Sequence, residues 1–275
     1  MSEQATAVPD IKSKHRAMWA LGDYASVAAD VIPALGQTLV DACGIRAGDR
    51  VLDVAAGSGN ASFPAVEAGA RVVASDLTPE LLESGRRHVE DLGLALDWRE
   101  ADAEALPFSD SEFDAVISCV GVMFAPHHQA SADELVRVVR PGGTIGLVNW
   151  TPEGFIGQMF ATMKPYAPPP PPGAQPPPLW GNEQHVRGLL GERVGDVVAR
   201  RETLRVDCFD TAGSFLDFFK SCYGPTIVVY RAIGDEPERV QALDSALLDL
   251  ARRHDLGGGA MDWEYLLFTA RKRSV

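Results

Sequence analysis

The sequence predicts an α/β fold: a doubly wound, mostly parallel sheet with an antiparallel strand at its edge. Three observations predict it. Short apolar runs of strand length alternate with helical patterns, beginning with Val51, Leu52 and Val54. A glycine turn, Gly57-x-Gly59, follows the first run at once. Carboxylates, Asp76 and Asp102, close the second and third runs.

The elements follow in order. Residues 1–10 are polar and read as mobile. The segment 11–24 mixes basic residues with Met18, Trp19 and Tyr24. Residues 25–43 read as an amphipathic helix, with a kink or break at Pro33. The strand at 51–54 leads through the Gly turn into a helix at Asn60-Ala61-Ser62-Phe63. A second strand spans 71–75, and a helix spans 79–92 with Thr78 as its N-cap and Pro79 in its first turn. Strands are expected at 94–98, 113–118 and 144–149, with a helix at 131–139 stopped by Pro141-Gly142-Gly143. The proline run 168–178 reads as a stiff surface spacer. Strands at 202–209 and 263–270 and helices at 212–223 and 236–254 complete a seven-stranded sheet. Four parts result: an N-terminal helical lid (1–44), a ligand-binding core (45–150), a proline-rich insert (151–200) and a C-terminal part (201–275).

Composition narrows the function classes. A chain of 275 residues, 46% of them hydrophobic, suffices for one sizeable core. No apolar run reaches membrane-spanning length, and the polar start lacks a leader pattern, which predicts a cytoplasmic protein. Cys43, Cys119, Cys208 and Cys222 are far apart and read as buried reduced thiols, with no metal site. The formal net charge of −13 would repel nucleic acid and anionic membrane, leaving a small molecule as partner and room for a homodimer.

The strand–glycine turn–helix unit suits a nucleotide-like ligand, because the first helical N–H groups are free to donate. Gly57-x-Gly59-x-x-Ser62 also comes near the dinucleotide fingerprint, so the downstream residues decide. Ligands of such sheets lie outside the carboxyl ends of the strands. There, Asp76 can accept both hydroxyls of a ribose. Asp102 can accept from an exocyclic amine such as adenine's, and Cys119-Val120-Gly121 makes a small-residue floor.

With VLDVAAGSGN (51–60), ASDLTPELL (74–82), EADAEALPFSDSEFDAVIS (100–118) and ELVRVVRPGGTIGLVNW (134–150), the chain resembles the class I S-adenosylmethionine-dependent methyltransferases. It is most similar to the ubiquinone/menaquinone C-methyltransferase branch and its small-molecule relatives. The resemblance implies a Rossmann-like core and S-adenosyl-L-methionine as cofactor. Ala55, Gly57 and Gly59 would line the methionine and ribose side, Ala55 standing where the family has its first glycine. Asp53 would hold the amino group or order the loop, and Asp76 would take the ribose hydroxyls. Leu77 would pack on adenine, Asp102 and Ala103 would address its amino group, and Cys119 would lie near the methionine moiety.

Methyl transfer asks mainly for alignment, and a base only where the acceptor must lose a proton early. His127 and His128, just beyond the fourth strand, are the candidate bases. His15, Trp19 and Tyr24 could close over the cofactor. Phe155, Met159, Phe160, Met163, Trp180, Phe215, Phe218, Phe219 and Tyr223 could wall an apolar acceptor pocket. Two rival classes share the Gly turn and Asp76: an NAD(P)-dependent oxidoreductase and a non-catalytic cofactor-binding protein. The first lacks a Tyr-x-x-x-Lys or comparable hydride-transfer set here.

Overall fold

The computed structural model describes residues 4–92 and 96–274; of residues 4–10 and 90–92 it describes the backbone. Seven strands form one sheet: β1 (Arg50–Val54), β2 (Arg71–Asp76), β3 (Asp97–Glu100), β4 (Phe113–Cys119), β5 (Val139–Trp150), β6 (Val194–Val206) and β7 (Met261–Lys272). Their order is β3-β2-β1-β4-β5-β7-β6. The first five run parallel, and β7 pairs antiparallel with both β5 and β6. The reversed strand therefore lies one place in from the edge, and β6 closes the sheet. The order reverses at β1, which pairs with β2 on one side and β4 on the other. A crevice opens at such a point because the helices on either side diverge. The four residues 51–54 are buried, as expected of a strand covered on both faces.

Eleven helices are defined among the described residues: α1 (Gln4–Trp19), the single turn α2 (Tyr24–Ser26), α3 (Pro33–Cys43), α4 (Ser62–Glu67), α5 (Pro79–Leu92), α6 (His128–Val138), α7 (Phe155–Met163), α8 (Glu183–Leu190), α9 (Ala212–Cys222), α10 (Gly224–Ala232) and α11 (Pro237–His254). Helix α3 lies against β5 at Gly146, where a Cβ would come within 2.0 Å of Cys43 Sγ. On a second cluster, Leu82 and Val89 of α5 pack against Ala74 and Trp98.

Several expectations are corrected. The backbone from Gln4 is helical, so the described part of residues 1–10 begins α1. Residues 25–43 divide into α2, a π-helical turn (Val27–Val31) and α3, because Pro33 starts a new helix rather than continuing one. The third strand begins at Asp97, and residues 94–95 of the expected span lie outside the described residues. Pro141-Gly142-Gly143 belongs to β5, exposed at Pro141 and Gly142, with Gly142 taking a φ of 74° and the buried backbone of Gly143 passing close to Asp114. Strand β6 starts eight residues earlier than its apolar pattern indicates, since the edge position leaves its first half partly exposed. The proline run is exposed at Pro168–Pro170, Pro172, Gly173 and Pro176, as a surface segment would be, but it is anchored: Pro178 is buried, and the amide of Gln175 donates to Pro126 O. The thiols also differ, with Cys43 buried, Cys119 and Cys222 half-buried, and Cys208 exposed. No described helix is long and apolar enough to cross a membrane.

Candidate active site

A cleft of about 610 Å³ lies outside the carboxyl ends of β1, β2 and β4. Side-chain hydroxyls join the three strand ends. Ser75 Oγ donates to Asp53 O at 3.0 Å, and Ser118 Oγ donates to Val54 O at 2.7 Å. Ser118 Oγ in turn accepts from the amide of Val122 at 2.8 Å. The chain leaves β1 through Ala55, with φ of 54°, and leaves β4 through Val120, with φ of 52°. Left-handed backbone is costly for an alanine and more so for a β-branched valine, and such strain collects at functional sites. Both residues line the cleft.

Asp76, at the end of β2, is 7% exposed. Its Oδ2 accepts from the Gly57 amide at 2.9 Å and its Oδ1 from the Thr78 amide at 2.8 Å. Burial pushes its carboxyl above the usual range, and the Thr78 and Gly57 amides oppose that shift. Each oxygen keeps a lone pair for a ligand hydroxyl. Asp53 lies beneath the turn rather than in the cleft wall. Ser62 Oγ donates to its Oδ2 at 2.6 Å, while its Oδ1 is buried with no partner among the described residues. Burial raises the Asp53 carboxyl to about 7.

Helix α1 lies across the adjacent rim. Its Lys12, His15, Arg16 and Trp19 share one face, at the helical spacing of i, i+3, i+4 and i+7. Lys12 Nζ reaches Asp102 Oδ1 at 2.8 Å and Glu104 Oε2 at 2.7 Å, and Arg16 pairs with Glu100. His15 and Trp19 enter the cleft wall. Trp19 meets Tyr24 and Phe124 edge-on, at centroid distances of 5.4 and 4.6 Å.

Of the residues expected to hold a cofactor, Tyr24, Ala55, Gly57, Asp76 and Leu77 line the cleft, as do Trp19, Asp102 and Ala103 on its other side. Gly59 and Cys119 do not. Gly59, with φ of 100°, faces the rings of Phe63 and Trp98. Cys119 Sγ lies 3.9 Å from Asn60 Nδ2. The two histidines are corrected. Glu104 captures His127, whose amide donates to Oε1 at 2.7 Å and whose Nδ1 lies 3.0 Å from Oε2. His128 is fully buried, with Nδ1 2.9 Å from His185 Nε2 and its ring against Trp180. Burial lowers the His128 imidazole to about 4. Neither side chain lines the cleft, because α6 starts with their positions turned towards Glu104 and α8. Lys12 and Glu104 escaped the sequence reading. The shared helical face of residues 12, 15, 16 and 19 was the signal available for Lys12.

A second, apolar cavity of about 290 Å³ adjoins the first, and Tyr24 and Val120 line both. Trp150, Ile156, Phe219 and Tyr223 line its far side. Most of the other aromatic and methionine residues expected there form core instead: Phe155, Met159, Met163, Trp180 and Phe215 are all buried, while Phe160 and Phe218 are partly buried against them.

A mostly parallel sheet of this strand order, with a strained turn after β1 and a carboxylate at the end of β2, has the Rossmann-like architecture of nucleotide-cofactor enzymes. Residues 51–143 match the family model of a methyltransferase domain. An uncharacterized protein of Mycobacterium tuberculosis is 56% identical over 258 residues, 94% of each chain. The demethylmenaquinone methyltransferase of Renibacterium salmoninarum is 41% identical over 125 residues, 43% of this chain and 51% of that one. The YcgJ protein of Bacillus subtilis shares the fold, with a TM-score of 0.58 at 17% identity, over 87% of this chain and 99% of that one. The chain carries a methyltransferase domain and is an S-adenosylmethionine-dependent methyltransferase; over part of its length it is similar to the menaquinone-type enzymes. Its cofactor is S-adenosylmethionine. The cleft fits that group: Ala55 and Gly57 of the turn line it, and Asp76 retains acceptor capacity.

Proposed function

We propose that this enzyme methylates a small, mostly apolar molecule held in the cavity behind Tyr24 and Val120. The observation that supports this reading is the adjacency of the two cavities: Tyr24 and Val120 line both, so ligands in the two spaces would lie against the same two residues. Asp76 takes the ribose hydroxyls of the cofactor. Asp102, with Ala103, addresses its adenine amine, and Leu77 packs on the base. Ala55 and Gly57 flank the methionine portion. Bound S-adenosylmethionine supplies an activated methyl group on a sulfonium. The protein contributes alignment and the exclusion of water. Trp19 and Tyr24, from α1 and the turn behind it, cover the junction of the cavities. With His127 and His128 outside the cleft, alignment rather than either of these histidines drives the transfer. The acidic surface disfavours nucleic acid as acceptor.

The test has two stages. Calorimetric titration of the full chain should show binding of S-adenosylhomocysteine and none of NADH. Labelled S-adenosylmethionine should then transfer its methyl group to members of a panel of phenols, amines and quinol-like compounds. Efficient methylation of tRNA or a protein, with no activity on that panel, would overturn the small-molecule reading.

A further inference from the structure

Strands β3 and β6 are the two edges of the sheet, and they are closed differently. β3 is four residues long, which leaves little backbone for another chain to pair with. β6 runs for thirteen residues, Val194–Val206, and β7 holds it on one side. Among the described residues no strand lies along its outer side. A bulge between Gly195 and Val198, where Asp196 has a φ of 49°, interrupts its start. From Val198 to Val206 the pairing with β7 is continuous, so this stretch is regular strand with an open row of N–H and C=O groups.

The side chains of that stretch match a second copy of themselves. Two copies joined antiparallel into one sheet are related by a two-fold axis normal to the sheet. Such an axis keeps each side chain on its own face, so it pairs residues of equal parity about one central residue. Centred on residue 199, it sets Val198 against Arg200, and centred on residue 203, Arg201 against Arg205. Centred on Arg200 or Glu202, it opposes that residue to its own copy and leaves Val198 against Glu202, or Leu204 against Arg200. Centred on Arg201, it sets Arg200 against Glu202 of the partner subunit, twice by symmetry, and Val198 against Leu204 of the partner subunit. An edge guarded by charge alone would repel its copy in every centring, whereas this one attracts in one.

The surroundings fit that centring. Val198 is 51% exposed, and with Leu256 it is the large apolar side chain most open to solvent among the described residues. Arg201 meets its own copy, but Glu153 and Glu264 lie 3.3 and 3.5 Å from its guanidinium and balance it. Glu202 takes Arg200 at Oε1 and Tyr265 at Oε2, both at 2.9 Å. A carboxylate has about four lone-pair sites, which leaves room for a second guanidinium. Pairing over 198–204 also stops short of the bulge.

We propose that the chain forms a homodimer through β6, two copies pairing antiparallel about Arg201 so that their seven-stranded sheets become one. Strands β5 and β7 separate the joint from the cleft at β1, β2 and β4, so the inference does not rest on the methyltransferase reading.

The test is sedimentation equilibrium of the full chain over a range of concentrations. The wild type should sediment as a reversible dimer. Arg200→Glu and Glu202→Arg each oppose like charges twice per dimer, so each should raise the dissociation constant about tenfold or more. Mixed in equal amounts, the two variants should dimerise again, because every carboxylate then meets a guanidinium across the joint. Inside each variant positions 200 and 202 carry the same charge, which mixing cannot repair, so the recovery reports the joint alone. The double reversal Arg200→Glu/Glu202→Arg keeps the contacts within and between chains and serves where a single variant fails to fold. It should dimerise with itself and form no mixed dimer with the wild type. A monomeric wild type overturns the inference. So do a dimer that both single reversals leave intact, a mixture of the two that stays monomeric, and a double reversal that pairs freely with the wild type.

Discussion

The backbone amide of Gly57 donates to Asp76 Oδ2 at 2.9 Å, fastening the turn after β1 to the last residue of β2. One carboxylate thus shapes the cofactor loop and also faces the cleft. Replacing Asp76 with alanine removes both roles. Affinity for S-adenosylhomocysteine should fall by roughly 1.5–3 kcal/mol, the scale of a hydrogen bond to a charged group. Calorimetry on a folded Asp76→Ala protein checks this, and unchanged affinity would take Asp76 out of the ribose role.

Gly121 allows the ends of β1 and β4 to approach each other. A Cβ there would lie 2.2 Å from Ala55 O, a backbone atom that cannot swing aside. Gly121→Ala should lower stability by about 1–3 kcal/mol, the usual cost of overpacking. It should also weaken cofactor binding, because Ala55 lines the cleft. Denaturant unfolding with and without S-adenosylhomocysteine separates the two effects.

Lys12 holds α1 to the rim through Asp102 and Glu104. Burial opposes ionisation of Glu104, but hydrogen bonds from Lys12 and His127 outweigh it and hold the carboxyl below its usual range. Lys12→Met should loosen the helix by about 1 kcal/mol or less per lost pair, since neither pair is deeply buried. Hydrogen exchange over residues 11–19 should quicken by up to about fivefold per pair. Exchange identical to wild type would show that packing by His15 and Trp19 alone seats the helix.

The pairing of His128 with His185 sets a pH dependence. The folded-state imidazole of His128 lies at about 4, below its ordinary 6.5, because burial and then His185 disfavour the charge. The unfolded chain takes up the proton first as pH falls. This contribution to stability is therefore complete above about pH 6.5 and is lost as pH falls towards 4. In His128→Leu the thermal midpoint should vary less with pH across that window. The 10²–10⁴-fold loss of rate that follows removal of a general base should not occur. A loss of that size in a folded variant would return His128 to the chemistry.

Much of the sheet was legible because parallel strands carry their signal locally. Runs such as Val51 to Val54 are apolar on both faces and are followed by turn residues, whatever packs on them. The strand-end residues Asp76 and Asp102 were legible for the same reason: their place in the cleft follows from the topology. His127 and His128 were not. Being next to the fourth strand says nothing about which way a side chain turns, and here Glu104 and His185 decide it. The apolar cavity was half legible. Phe219 lies on α9 and Tyr223 just past its end, in an aromatic stripe visible in the sequence, but their partners Trp150 and Trp263 come from β5 and β7. Only the antiparallel return of β7 brings those strands together. Lys12 meets Asp102 across 90 positions of the chain, a distance at which no local pattern operates.

The placement of the five tryptophans gives the molecule an optical record of its own occupancy. Trp19 stands in the wall of the cofactor cleft, whereas Trp150 and Trp263 stand in the wall of the apolar cavity. Trp98 packs with Phe63 and Trp180 with His128, and neither lines those two spaces. Emission should therefore respond in two separable ways. A ligand in the first space perturbs Trp19, and that component disappears in Trp19→Phe. A ligand in the second perturbs the Trp150–Trp263 pair, whose rings lie 5.8 Å apart and exchange excitation. The order in which the two ligands enter can thus be followed by fluorescence in the unlabelled chain.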